Sequence, residues 1–162
     1  MITKFPDLLR VLSAAEVEFI VIGGAAGIAH GSAMLTYDLD IVYDRSPKNL
    51  ECIVSALAPY QPYLRGAPPG LPFDWSVCTL QSGLNFTLTT LLGPLDILGE
   101  VAGGGDYAAM LPHSGYIELY GVKCLCLGLE KLILTKRAAG RPKDLIAIAE
   151  LEALLEESHH DI

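Results

Sequence analysis

Apolar residues recur along this chain with two different periods, and the places where the period changes mark its elements. Over 7–16, Leu8, Leu9, Val11 and Leu12 fall at helical spacing behind Pro6, which predicts an opening amphipathic helix. Residues 19–22 are an unbroken apolar, β-branched run and predict a buried strand. The small residues of 25–30 predict a short helix that ends at Gly31. Over 38–43 the period becomes two, predicting a second strand, after which Ser46 caps a helix through Leu50, Ile53, Val54 and Leu57 that Pro59 helps to stop. Residues 62–72, rich in Pro and Gly, read as an irregular loop over the cleft.

The second half follows the same logic. Alternation predicts a strand over 84–90, Gly93-Pro94 a turn, and 95–98 a short strand. Gly103-Gly104-Gly105 predicts a flexible turn and 116–120 another strand. Cys124 and Cys126 alternate around Leu125; without a second Cys or His pair at ligand spacing they read as small buried apolar residues rather than zinc ligands. Helices are predicted over 129–136 and 142–157 with Gly140-Arg141 between them, and 158–162 reads as a flexible tail beyond a single domain spanning 1–157. The interleaving of strands and helices implies an α/β or α+β domain.

Two features of this pattern carry chemistry. Gly23 and Gly24 directly follow the first strand, where the lack of side chains lets backbone amides approach a ligand. On the second strand a period of two puts Asp38 and Asp40 on one face and Leu39 and Ile41 on the other. Two carboxylates on one face, next to a glycine pair, suit a hard divalent cation held together with a nucleoside triphosphate. Asp96 lies between Leu95 and Ile97 on a strand that must adjoin the core, where a carboxylate is costly unless paired or metal-bound, so it is the natural third acid, ahead of Glu100 and Asp106. His30 reads as a helix-end residue that caps local carbonyls, and Thr36 as support for the strand entrance.

Composition narrows the partners. A formal net charge of -8 and a pI near 4.8 oppose broad, sequence-independent binding to DNA, which needs clustered Lys and Arg. Positive charge is concentrated locally, at Lys131, Lys136, Arg137, Arg141 and Lys143. Four cysteines without a disulfide-like framework, and no secretory signal, indicate a cytoplasmic protein; no apolar run is long enough to span a bilayer.

The chain resembles the nucleotidyltransferase superfamily with the DNA polymerase β-like fold. Its nearest likeness is to small bacterial stand-alone members related to AbiEii-type toxins. The resemblance rests on Val21-Ile22-Gly23-Gly24, His30-Gly31-Ser32, Thr36-Tyr37-Asp38-Leu39-Asp40, residues 95–100 and residues 136–144, and covers most of the chain. It implies a mixed sheet with helices on one face and a C-terminal helical pair. It implies Mg2+ or Mn2+ on Asp38, Asp40 and Asp96 in a two-metal in-line arrangement, with NTP phosphates near Gly23, Gly24 and Ser32 and balanced by Lys136, Arg141 or Lys143. The activity implied is transfer of a nucleoside monophosphate to a hydroxyl acceptor, such as RNA, a tRNA end or a protein, in a toxin-antitoxin context with a cognate partner protein. Such members often carry arginine two residues before the Thr of Thr-x-Asp-x-Asp; Met34 stands there in this chain, which leaves as the alternative a catalytically degenerate nucleotide-binding or antitoxin-like partner domain.

Overall fold

A computed structural model of the chain describes residues 2–160. The first half runs α1 (Phe5–Ala14), β1 (Phe19–Ile22), α2 (Gly23–Ala29), β2 (Leu39–Tyr43), α3 (Pro47–Leu57), a 3-10 turn (Ala58–Tyr60), β3 (Tyr63–Leu64) and α4 (Val77–Ser82). The second half runs β4 (Asn85–Thr90), β5 (Gly93–Leu98), β6 (Glu100–Val101), β7 (Gly105–Asp106), α5 (Tyr107–Met110), a 3-10 turn (Leu111–His113), β8 (Ser114–Leu119), β9 (Val122–Leu127), α6 (Leu129–Ala139) and α7 (Pro142–His160). Seven strands form one mixed sheet in the order β3-β4-β5-β2-β1-β9-β8, while β6 and β7 pair apart as a small ribbon. β2 runs parallel to β5 and β1 parallel to β9, and the remaining neighbours in the large sheet are antiparallel. This is the mixed α/β architecture that the sequence pattern and the resemblance imply.

β1 and β2 sit at the centre because their sequences bury best. All four residues of β1 are buried, as are Leu39, Ile41, Val42 and Tyr43 of β2. Leu39, Ile41, Leu95 and Ile97 share one core with Leu8, Leu9 and Leu12 of α1 and Leu50, Ile53 and Leu57 of α3. The opposite face of β2, which carries Asp40, meets the start of α2. The central strands are thus covered on both faces, rather than by helices on one face only. The reason is visible in β1: a strand apolar at every position has no side that water can wet.

Several boundaries differ from the periodic reading. α2 starts at Gly23 itself, so the glycine pair is the first turn of a helix and not a linker before it. The loop over 62–72 contains the edge strand β3, recruited by backbone pairing to β4. Gly93-Pro94 opens β5 and the turn falls at Leu91-Leu92, where the Thr90 hydroxyl accepts from the Leu92 amide and donates to the Gly93 carbonyl. α7 continues through His160, beyond Ser158 where a flexible tail would begin; residues 161–162 lie outside the described residues. Cys124 and Cys126 are buried in β9, and burial pushes their thiols up to about 11 and about 12, so they are inert core residues. His30 is the C-cap of α2, where its backbone amide donates to the Ala26 and Gly27 carbonyls at 3.2 and 3.1 Å, while its imidazole reaches further: Nε2 pairs with the Leu127 carbonyl at 2.8 Å, tying the end of α2 to the end of β9. Among the described residues no helix is long and apolar enough to cross a membrane.

Candidate metal and nucleotide site

The sheet register assembles the acids. Asp40 of β2 lies directly opposite Asp96 of β5, so the two side chains leave the same face of neighbouring strands. Asp38, one residue ahead of β2, comes two positions before Asp40 and joins them. One carboxylate oxygen from each of Asp38, Asp40 and Asp96 lies within 4.8 Å of the others. Glu100 and Asp106 go elsewhere: they face each other across the β6-β7 ribbon, and the Asp106 carboxylate caps α5 by accepting from the Ala109 amide at 2.9 Å.

Burial makes this cluster expensive as a set of bare anions. Desolvation, reinforced by Asp38 and Asp96, pushes the Asp40 carboxyl up to about 8. Burial also raises Asp96, against the lowering effect of a hydrogen bond with Asp40 and of the Arg65 guanidinium. Asp40 Oδ1 is buried and has no hydrogen-bond partner. Gly23 explains how a ligand can come close. Its φ is 64°, and a Cβ there would stand 2.3 Å from Asp40 Oδ2. At Gly24 a Cβ would stand 2.5 Å from Thr36 Oγ1. Thr36 in turn donates to the Asp38 carbonyl at 3.3 Å, which supports the strand entrance.

These acids form one end of a cavity of about 260 Å³ that follows α2 towards α7. Gly23, Gly24, Ser32, Lys136, Arg141 and Lys143 all line it. Arg137 and Lys131 do not; Arg137 pairs with Glu152 on the outer side of the α6-α7 pair. Gly140, left-handed with φ 65°, closes α6 and turns the chain so that Arg141 enters the cavity beside Lys136. Asp144, only 1% exposed, organises both cations: it accepts from Arg141 Nε at 2.7 Å and lies 3.9 Å from Lys136 Nζ. Burial opposes charge on Asp144, but the Arg141 hydrogen bonds and the two cations hold its carboxyl below the ordinary range. Burial lowers Lys136, with Asp144 and Asp40 acting against that. Ser32 has little left to offer a ligand. Its hydroxyl donates to Glu150 and its amide to the Gly27 carbonyl at 2.9 Å. Met34 and Leu35 form part of the cavity wall at its exposed mouth.

Sequence reasoning missed two members of the site, Asp144 and Arg65. Arg65, immediately after β3, donates to Asp96, and its Nη1 stands 3.6 Å from Asp38 Oδ2. The guanidinium is braced by the Leu88 carbonyl, 2.8 Å from Nη2. Its place follows from the edge strand. The Arg65 amide bonds to the Thr87 carbonyl at 2.9 Å, and Thr87 pairs with Asp96. A period-two reading of 63–65 would have hinted at an inward residue here, but the surrounding Pro and Gly hide so short a strand.

The oxygen donor set, the unpartnered Asp40 Oδ1 and the side-chain-free approach at Gly23 together fit a divalent cation with oxygen ligands. No protein-family model matches the sequence, and no curated protein does. Among solved structures, the lincomycin-bound lincosamide antibiotic adenylyltransferase LnuA aligns over 93% of this chain and 96% of its own, with a TM-score of 0.63 and 16% identity. A candidate nucleotidyltransferase of Thermotoga maritima aligns over 97% of this chain and 96% of its own, with a TM-score of 0.51 and 19% identity. The chain therefore has a nucleotidyltransferase fold.

Proposed function

We propose that this protein is a metal-dependent nucleotidyltransferase that moves a nucleoside monophosphate from an NTP to a hydroxyl acceptor. The observation that supports this best is the Asp38-Asp40-Asp96 cluster, with a buried, unpartnered oxygen on Asp40, facing a glycine pair at the end of a cavity whose other side is cationic. Asp38 and Asp40 hold Mg2+ or Mn2+, and Asp96 completes the acid set. When bound, the metal neutralises phosphate oxygens and makes the α-phosphorus more electrophilic. The acceptor oxygen bonds to that phosphorus, the bond to the bridging oxygen breaks, and pyrophosphate leaves. Asp96, on the strand beside Asp40, takes the hydroxyl proton.

Gly23 and Gly24 let the phosphates approach the backbone. Lys136 and Lys143 act on the phosphates as point charges, and Arg141 as a fork. Asp144 positions Arg141 and Lys136. For the acceptor we favour a small hydroxylated molecule, an RNA or tRNA end, or a protein side chain; the first is suggested by the fold shared with a lincosamide adenylyltransferase, the others by the likeness to AbiEii-type toxins and their partner proteins. Four free thiols accord with a cytoplasmic setting.

The test is calorimetric titration of each NTP, with and without Mg2+, into wild type and the Asp38→Asn, Asp40→Asn double variant. Binding that needs both the metal and the acids supports the assignment. Equal binding by a folded double variant overturns it, and no binding by wild type selects the catalytically degenerate, partner-binding reading.

A further inference from the structure

Resting on the metal reading above, the geometry points to a further role for Arg65: its guanidinium occupies the side of the acid cluster between Asp38 and Asp96, so the cluster takes one divalent ion and not two. Three observations lead there. Arg65 contacts two of the three acids, donating to Asp96 and lying 3.6 Å from Asp38. It is not a loose surface residue swung into the cleft. The backbone of Arg65 continues the β3-β4 pairing through Thr87, and its Nε and Nη2 are both anchored on the Leu88 carbonyl, at 3.3 and 2.8 Å. The unpartnered oxygen of the cluster belongs to Asp40, the acid that Arg65 does not touch.

The register makes the arrangement specific. Leu64 pairs with Leu88, so Arg65 falls opposite Thr87, Thr87 opposite Asp96, and Asp96 opposite Asp40. Partners across a sheet project from the same face, so Arg65 and the two acids lie in one row. Arg65 and Asp96 are separated by one intervening strand, roughly 10 Å at the spacing of paired strands, which an extended arginine crosses and shorter side chains do not. Arg65 already supplies one positive charge to Asp38 and Asp96. A second ion bridging the acids through Asp38 Oδ2 and Asp96 Oδ1, the two oxygens that face Arg65, would have to displace the guanidinium.

Counting ions tests this without reference to turnover. The protein is saturated with Mn2+ and a non-hydrolysable NTP analogue, bound Mn2+ is quantified by equilibrium dialysis, and the electron paramagnetic resonance spectrum is recorded. Two Mn2+ ions about 3.5–4 Å apart give an exchange-coupled spectrum, and a lone ion does not. We expect one uncoupled ion per chain in wild type, and two coupled ions in Arg65→Ala and Arg65→Gln, each shown to be folded by its circular dichroism. A coupled pair in wild type, or one uncoupled ion in both folded variants, overturns the role of Arg65 while leaving the metal site standing. No bound Mn2+ in wild type or either variant overturns the metal site and this inference together.

Discussion

Replacing Gly23 by alanine separates the cost of a strained backbone from the cost of a misplaced carboxylate. At φ 64° an L-residue pays about 1–2 kcal/mol for the left-handed conformation. The added Cβ would also lie 2.3 Å from Asp40 Oδ2. Non-bonded carbon contacts settle near 3.5 Å, so the carboxylate must move by about 1 Å. Metal sites tolerate only about 0.2 Å in ligand distance, so the cluster is broken as a chelate. Gly121 is the control: its φ is 78°, and a Cβ there meets nothing within 4 Å. Gly121→Ala should lose about 1–2 kcal/mol, a fall in Tm of roughly 2–8 °C for a chain of this length, with unchanged metal binding. Gly23→Ala should melt at least as low in EDTA and also lose the response to metal. With Mn2+ at a hundred times its Kd, wild type gains about 2.7 kcal/mol, a rise of roughly 5–10 °C that Gly23→Ala should not show. The assay is thermal denaturation of the three proteins with EDTA and with Mn2+. A folded Gly23→Ala protein with the full wild-type rise, or a Gly121→Ala protein that loses it equally, would refute the reasoning.

Three other outcomes follow from the same contacts. Asp144→Ala removes the buried acceptor of Arg141 and leaves the half-buried Lys136 without its nearest counter-ion; because Arg141 can rehydrate, the loss should be about 2 kcal/mol, read from the urea midpoint, together with weaker NTP binding. Asp144 also gives an acid limb to stability. Its folded-state carboxyl lies below the ordinary 3.8, so its contribution is complete above pH 3.8 and is lost as pH falls through the lower folded value; Asp144→Asn should flatten the wild-type decline in stability below about pH 4. Asn49, buried at the start of α3, accepts from the Glu18 amide at 2.7 Å and donates to the Glu18 and Asp44 carbonyls. Asn49→Ala strands these groups and should cost about 2–3 kcal/mol by denaturant titration, with unchanged Mn2+ affinity.

What the sequence disclosed depended on whether the determining interaction was local. β1 and β2 are legible because an apolar run and a strict alternation state their own burial, and the same alternation separates Asp38 and Asp40 from Leu39 and Ile41. α3 is legible because Ser46 signals its own cap, accepting from the Asn49 amide. The short α4 carries the same signal in Ser76, but its single buried leucine leaves too little period to read. β3 and the β6-β7 ribbon have two residues per strand, and only their partners make them strands. The end of α7 was equally hidden, because Ser158 and His159 neither favour nor forbid another helical turn.

Arg65 shows why a site can be half visible. Its partners Asp96 and Asp38 lie 31 and 27 positions away, and it reaches them only because β4 intervenes in one particular register. That register is set on the other face of the sheet, by Leu88 opposite Leu95 and Phe86 opposite Ile97, all of them buried. A slip of β4 by one residue would turn Phe86 and Leu88 to the polar face and shift Arg65 out of line with Asp96. The apolar residues therefore do more than stabilise the domain. By making every other pairing unaffordable, they hold an arginine and two acids from three strands in one row, so substitutions in Phe86 or Leu88 that preserve folding but loosen β4 should disturb ion binding before they lower the melting temperature.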